Sequence, residues 1–145
     1  MIASVLVDTN VLVYAYDRAA PAKQARALAV LDALAERGDG ALTTQVLAEF
    51  YVVVTRKLAV PLSSGEAYTR IDRLVRAWHV FDITGMIVLE AARGVRDHQL
   101  SFWDAQIWAA ARLNQVPMIL TEDLPGASAI EGVRYVDPFT TTHPL

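Results

Sequence analysis

Five acidic residues occupy positions where carboxylates could act together. Asp8 directly follows a short apolar run, and Glu122 and Asp123 directly follow another. Glu49 and Asp104 lie in stretches with helical spacing. Carboxylates that converge in a partly dry crevice repel one another and are costly to desolvate unless a proton or a cation neutralises them. An all-oxygen site suits Mg²⁺ or Mn²⁺, and such an ion activates water and stabilises developing charge in phosphodiester chemistry.

Each acid also has a purely structural interpretation, which the sequence leaves open. Asp8 suits the N-cap of a following helix, and Asp104 lies three residues after Ser101, close to a capping box. Glu49 borders the apolar stripe of its helix and could be a surface acid, and the acidic pair after the second run suits a polar turn. The metal hypothesis therefore depends on the acids converging, not on any one of them.

The elements that would position these acids alternate between strands and helices. Strands are expected at 3–7, 41–43, 79–83, 116–121 and 133–136. Helices are expected at 11–16, 21–37, 45–57, 63–77, 84–97 and 101–114, and the end at 140–145 is expected to be frayed. This alternation predicts an α/β domain with a parallel sheet between helices. Ligands of such sheets bind beyond the carboxyl ends of the strands, which is where Asp8 and Asp123 fall.

The composition excludes several classes of protein. The chain has 145 residues, of which 54% are hydrophobic and 20% charged, as expected for one globular domain spanning 1–145. It has no cysteine, which rules out zinc-thiolate sites and cysteine nucleophiles and is compatible with the cytoplasm. We expect no signal or transit peptide and no membrane span. A net charge of −3 argues against general electrostatic binding of nucleic acid, but a metal-dependent nuclease remains possible.

Four short motifs that contain the acids follow one another along nearly the whole chain. They are VLVDTNVL at 5–12, TTQVLAEF at 43–50, SFWDA at 101–105 and LTEDL at 120–124. In this order and spacing they resemble the PIN-domain ribonucleases, and within them the VapC-type toxins of bacterial toxin-antitoxin pairs. The resemblance implies a three-layer α/β/α fold with a central parallel sheet and a Mg²⁺- or Mn²⁺-dependent endoribonuclease site.

The resemblance also implies roles for individual residues. The positions that match the family's acids are Asp8, Glu49, Asp104 and, for the more variable fourth, Asp123. Glu122 is the alternative fourth acid, and Asn10 and Thr121 fall where the family often has polar residues near the metal. The implied reaction is hydrolysis of RNA by activated water, with Asp8 and Asp104 as direct or water-bridged ligands. Glu49 would complete the cluster or orient the water.

Partners are implied by the resemblance and by apolar helices. A homodimer and a VapB-like antitoxin over the active-site side are expected, and the helix at 45–57, which is apolar on more than one face, suits such an interface. Trp103 and Trp108 are expected in the core or at an interface, not as stacking platforms for bases.

Charged residues elsewhere give two weaker indications. Seven basic residues against four acids between 56 and 96 form a candidate RNA-binding region, although solvated helix faces explain them equally well. His79, His98 and His143 are scattered, which argues against a histidine general base.

Two other function classes fit parts of the sequence. A phosphoryl-accepting receiver domain, or a phosphatase of the haloacid-dehalogenase type, also places acids and Mg²⁺ at strand ends. The late strand is followed by Thr121-Glu122-Asp123 rather than by lysine, and the first motif reads Asp8-Thr9-Asn10 rather than Asp-x-Asp. A catalytically silent module that binds RNA or protein is the other alternative.

Overall fold

A six-stranded sheet and six helices are built from residues 2–142 and 145, which the computed structural model describes. The strands are β1 (Val5–Val7), β2 (Gly40–Thr43), β3 (His79–Phe81), β4 (Met118–Leu120), β5 (Ala129–Ile130) and β6 (Val133–Val136). The helices are α1 (Thr9–Tyr14), α2 (Pro21–Arg37), α3 (Thr44–Arg56), α4 (Ser64–Ala77), α5 (Gly85–His98) and α6 (Phe102–Leu113).

The sheet has the order β3-β2-β1-β4-β6-β5. All neighbouring pairs are parallel except β5 and β6, which are antiparallel. The predicted α/β sandwich with a central parallel sheet is therefore confirmed, and the antiparallel pair forms one edge of the sheet. β5 has two residues and joins β6 through Glu131 and Gly132, both with positive φ. Two residues are too few to show a strand periodicity in sequence.

Several helix ends follow the local signals in the sequence. α2 begins at Pro21 and ends at Arg37, with Gly38 as its C-cap. Gly38 has a left-handed φ of 72°, which glycine adopts with little conformational strain. α4 has the expected capping box between Ser63 and Glu66. α6 begins one residue later than predicted because Ser101 is its N-cap. The element boundaries thus shift where a side chain caps the backbone.

The core covers the central strands on both faces. All three residues of β1 are buried, and the largest fully buried side chains include Trp108 from α6 and Phe50 from α3. A Cβ at Gly94 would lie 2.8 Å from Trp108 Cζ3, so α5 and α6 approach this closely only because residue 94 is glycine. Trp108 is in the core, as expected, whereas Trp103 is 62% exposed, so a core position for it was wrong.

The register of the central strands sets the edge where the acids lie. Val7 pairs with Leu120, and the amide of Asp8 donates to Leu120 O at 2.9 Å. Thr121 directly follows β4, and its amide donates to Val136 O at 3.0 Å. Asp8 and Thr121 therefore leave the sheet side by side at its carboxyl edge.

The last described segment is held against α2. Arg26 donates to the carbonyl oxygens of Pro138, Thr141 and Thr142 at 2.8 to 3.0 Å. The fraying expected from residue 140 is therefore absent at 140–142, and His143 and Pro144 lie outside the described residues. No helix within 2–142 is long and apolar enough to cross a membrane.

Candidate active site

Asp8 is fixed by hydrogen bonds at the end of β1. Asp8 is buried, with only 8% of its surface exposed. Oδ1 accepts from the amide of Thr9 at 2.7 Å, which makes Asp8 the N-cap of α1. Oδ2 accepts from Thr121 Oγ1 at 2.8 Å and from Asn10 Nδ2 at 3.5 Å. The capping interpretation is correct, but the second oxygen is held by residues from both ends of the chain.

The surroundings of Asp8 disfavour its charge. Burial raises its pKa to about 6, against the opposing hydrogen bonds from Thr121 and the amide of Thr9. The negative charges of Asp104 and Glu49 raise the pKa further. Without a cation, this carboxyl group is thus harder to ionise than an ordinary aspartate, and a nearby positive charge would reverse the effect.

Glu49 faces the same region from α3 and is not a surface acid. Its Oε2 accepts from Thr9 Oγ1 at 2.9 Å, and its Oε1 accepts from Gln45 Nε2 at 2.7 Å. Gln106 Nε2 from α6 donates in turn to Gln45 Oε1 at 2.7 Å. Both glutamines are buried, and sequence reasoning missed them. Their signal was a polar residue facing inward on each of two apolar helices, one turn before Glu49 and two residues after Asp104.

Asp104 and Asp123, unlike Asp8, are exposed. The amide of Asp104 donates to Ser101 Oγ at 3.3 Å, so the main chain of Asp104 takes part in the helix cap. Its side chain lines a cleft together with Asp8 and Glu49. Asp123 accepts from Asn10 Nδ2 at 3.4 Å, and its amide donates to Thr121 Oγ1 at 3.0 Å. Asn10 and Thr121 therefore connect Asp123 to Asp8.

Glu122, the alternative fourth acid, is bound differently. Its carboxylate forms an ion pair with Lys23, and its amide donates to Asn10 Oδ1 at 3.1 Å. Lys23 also contacts the hydroxyl of Tyr14 at 3.3 Å. Since a cation already neutralises Glu122, Asp123 is the better candidate for the fourth acid.

Two clefts meet at the acids. We call the first the loop cleft: about 450 Å³, between the α5–α6 connection at 97–101 and the loop at 123–127. The second, the helix cleft, has about 420 Å³ and lies between α1, α3 and the start of α6. Asp8, Asp104 and Asp123 line both, and Glu49 and Asn10 line the helix cleft. Thr121 lines the loop cleft. The six predicted site residues are therefore brought together.

Tyr135 of β6 also lines the loop cleft. Its hydroxyl is buried and has no hydrogen-bond partner among the described residues. Burial, followed by the negative charges of Asp104 and Asp8, raises its pKa, so the phenol stays protonated. The cleft thus contains one neutral donor that the sequence analysis did not single out.

The donor atoms around the clefts fit a hard divalent cation. They are carboxylate, amide and hydroxyl oxygens, which suit Mg²⁺ or Mn²⁺ and not softer metals. Within residues 2–142 and 145, however, no three acidic or histidine side chains are close enough to hold one ion together. The chemistry of the donors therefore fits the expected metal, whereas Asp104 and Asp123 would have to move inward to share one.

The basic residues of the candidate RNA-binding region do not line either cleft. Arg93 pairs with Glu90 and Glu131, and Arg76 and Arg96 pair with aspartates. For these three arginines the structure favours the interpretation as ordinary solvated helix faces. His98 lines the loop cleft, and its Nε2 pairs with Glu131 at 2.7 Å.

The sequence matches the PIN domain family over residues 5–124. The chain belongs to the PIN domain family. The matched span contains all the acids of the two clefts, whereas β5, β6 and Tyr135 lie beyond it. A comparison of this PIN domain with curated protein sequences finds no significant match.

Solved structures with the same fold come from toxin-antitoxin systems. A toxin-antitoxin complex from Klebsiella pneumoniae has a TM-score of 0.69 and 20% identity, over 93% of this chain and 98% of that one. VapBC2 from Rickettsia felis, bound to a promoter DNA fragment, has a TM-score of 0.65 and 16% identity, over 94% and 98%. VapC20 from Mycobacterium tuberculosis, described as a toxin that cleaves the sarcin-ricin loop, has a TM-score of 0.60 and 18% identity, over 80% and 87%. At these identities the likeness establishes the PIN fold.

Proposed function

We propose that this PIN domain is a Mg²⁺- or Mn²⁺-dependent endoribonuclease and acts as the toxin of a toxin-antitoxin pair in the cytoplasm. The observation that carries the proposal is the convergence of Asp8, Glu49, Asp104 and Asp123 at two joined clefts. Such an arrangement of acids is costly for a fold to keep unless a cation uses it. The description of VapC20 as a toxin that cleaves the sarcin-ricin loop supports a nuclease activity here.

In this proposal Asp8 and Asp104 hold the metal, and Asp123 completes the oxygen ligands. A bound divalent cation supplies positive charge for the phosphate oxygens and lowers the pKa of water so that it can attack phosphorus. Thr121 and Asn10 hold the Asp8 carboxylate in place through Oδ2. Glu49, held by Thr9 and Gln45, is fixed where it can orient the attacking water or accept its proton.

We include a homodimer and a VapB-like antitoxin in the proposal, with inhibition of translation as the cellular effect. The structural relatives from Klebsiella pneumoniae and Rickettsia felis are described as toxin-antitoxin assemblies. On this chain, Tyr51 and Val52 of α3 and Met86 and Leu89 of α5 expose apolar side chains that suit protein interfaces.

The second candidate function is a catalytically silent PIN module that binds RNA or protein. The observation that favours it is that no three acidic or histidine side chains of the described residues are grouped closely enough to hold one ion. Membership of the PIN family removes the receiver and phosphatase alternatives.

RNA cleavage by purified protein separates these two functions. We expect discrete fragments from total cellular RNA with Mg²⁺ or Mn²⁺, none with a chelator, and a loss of at least about a hundredfold in Asp104→Asn, because a ligand should matter more than the tenfold to hundredfold typical of outer-shell residues. Asp32→Asn, an exposed aspartate on α2, is the matched control and should cleave normally. Wild-type protein that is freed of antitoxin and inert with either metal would establish the silent module instead.

A further inference from the structure

Trp103 is a large apolar side chain left in water beside the acids. It is 62% exposed, whereas Trp108, five residues later, is fully buried. Its main chain is nevertheless fixed, since its carbonyl accepts from Gln45 Nε2 at 3.3 Å, and the same amide holds Glu49. Its ring meets Phe102 edge-on, with centroids 5.2 Å apart. The indole is thus anchored at its base and has a free face.

The position of the indole links it to the acids. Trp103 lines the helix cleft together with Asp8 and Glu49, and it immediately precedes Asp104. On its other side it borders a shallow groove of about 550 Å³ on α3, which Ala48 and Ile83 also line. A planar group that enters the helix cleft therefore meets the indole next to the carboxylates.

Electrostatic attraction between these clefts and RNA phosphates is not enough for binding. Neither the loop cleft nor the helix cleft is lined by lysine or arginine among the described residues. Lys23, at the rim, already pairs with Glu122 and contacts Tyr14. Carboxylates repel phosphates, and a metal ion compensates only at the phosphate it binds. Base stacking on an aromatic ring is insensitive to this repulsion and contributes about 1–3 kcal/mol per base.

The other aromatic ring of the helix cleft is less available for stacking. Tyr14 packs edge-on against Phe139, with centroids 5.0 Å apart, and Lys23 lies 4.7 Å from the centre of its ring. A protein partner is the competing occupant of Trp103, and it would use the groove on α3, beside the exposed Val52. RNA is favoured because the indole shares its cleft with the acids.

We infer that Trp103 is a stacking platform for an unpaired nucleobase adjacent to the phosphodiester bond on which the acids act. The inference rests on the proposed function and adds a substrate-binding residue to it. A base can stack on the indole only if it is unstacked from its neighbours, so the substrate is single-stranded RNA or a loop with splayed bases. Double-stranded RNA of the same sequence should bind more weakly.

Binding of a short, fluorescently labelled single-stranded RNA of mixed sequence tests the inference. The parent protein carries Asp8→Asn so that binding is measured without cleavage, and Trp103→Leu and Trp103→Phe are compared in that background. We expect about tenfold weaker binding for the leucine variant and less than about threefold for phenylalanine, because only an aromatic ring preserves stacking. Tyr68→Leu removes an aromatic that is 72% exposed on α4 and is the matched control, with unchanged affinity expected.

A set of RNAs that carry one abasic nucleotide, moved along the sequence, gives an independent readout. One position should weaken binding to the parent about tenfold and leave the Trp103→Leu variant unaffected, since the lost interaction is the same one. RNA should also quench tryptophan fluorescence of the parent and not that of the variant. Thermal unfolding of each protein verifies that it is folded.

Each alternative result overturns a different statement. Equal affinity of parent and Trp103→Leu, or no sensitive abasic position, overturns the inference. Equal RNA affinity combined with a shift from oligomer to monomer in gel filtration assigns the indole to a protein interface. Wild-type protein that cuts no RNA overturns the proposed nuclease, whereas weaker binding by Trp103→Leu would still place an unpaired base on Trp103.

Discussion

The four acids of the two clefts fall into two pairs that are held differently. In the first pair, Asp8 is buried and Glu49 is held through both carboxylate oxygens. In the second pair, Asp104 and Asp123 are exposed, and the one side-chain hydrogen bond to either carboxylate is the 3.4 Å contact from Asn10 to Asp123 in the described structure. The first pair is preorganised, whereas the second pair is left adjustable.

The difference follows from how each residue is attached. Asp8 and Thr121 follow neighbouring paired strands, so the ladder of main-chain hydrogen bonds sets their separation. Asp104 lies in the first turn of a helix, and Asp123 lies in the loop after β4, where fewer contacts restrain a side chain. A cation could then draw two mobile carboxylates toward a fixed one without moving the core.

The comparison predicts effects of different size on stability for two similar substitutions. In metal-free protein at pH 7.5, Asp8→Asn should raise the free energy of unfolding by up to about 3 kcal/mol, from a pKa shift of about two units at about 1.4 kcal/mol each. Asp104→Asn, at an exposed position, should raise it much less, because it removes only a minor contribution to the pKa of Asp8. Chemical denaturation with a chelator measures both.

The pH dependence gives the sign of the effect. Because the pKa of Asp8 is about 6 in the folded protein and 3.8 for an ordinary aspartate, ionisation costs stability above pH 6 and costs nothing when both states are protonated. The advantage of Asp8→Asn should therefore shrink as the pH falls from 7.5 through 6 and vanish near pH 3.8. A stability advantage that is independent of pH would show that Asp8 is ionised without cost in the folded protein. It would contradict the raised pKa of this buried carboxyl group.

Thr121 should matter for activity through its hydroxyl alone. Thr121→Val removes the donor to Asp8 Oδ2 while preserving shape, and we expect RNA cleavage to fall about tenfold, as for other groups that orient metal ligands. Thr121→Ser keeps the hydroxyl and is the control. If the valine and serine variants cleave RNA at equal rates, cleavage does not depend on the hydrogen bond from residue 121 to Asp8.

The smallest expected effect separates the two adjacent acids of the loop. Asp123→Asn should lower the rate of RNA cleavage several-fold and raise the Mg²⁺ concentration needed for half-maximal rate. The reason is that it removes the negative charge of one of the two exposed carboxylates. Glu122→Gln should leave both quantities within about twofold, since Lys23 neutralises Glu122. Kinetics at several metal concentrations measure both, and the reverse order would make Glu122 the fourth acid.

Sequence reasoning succeeded where a short pattern has one structural solution. Pro21, Gly38 and the Ser63–Glu66 capping box predicted their helix ends, and buried β-branched residues predicted β1. The candidate acids were identified because Asp8, Glu122 and Asp123 follow strands, Glu49 borders an apolar stripe and Asp104 lies in the first turn of a helix. These signals are local, so one sequence is enough to read them.

The features that were missed depend on contacts between distant residues. The pairing of Gln106 with Gln45 joins positions 61 residues apart, and although each glutamine is an inward polar residue on an apolar helix, only the folded structure shows that the two meet. Trp103 and Trp108 lie on the same apolar helix, yet Trp103 is exposed in its first turn, whereas Trp108 lies in the stretch 105–111, in which every residue is buried. Which of two equivalent residues is covered is decided by the neighbouring elements.

The strand order also determines when the acidic clefts can form during synthesis. Within this domain β1 is made before its partner β4, which follows more than a hundred residues later, and β6 is made later still. Until then the amide of Asp8 has no Leu120 carbonyl to bind, and the Thr121 hydroxyl that holds Asp8 does not exist. A nascent chain therefore cannot assemble the clefts beside the RNA of its own ribosome before residues 118–136 have emerged.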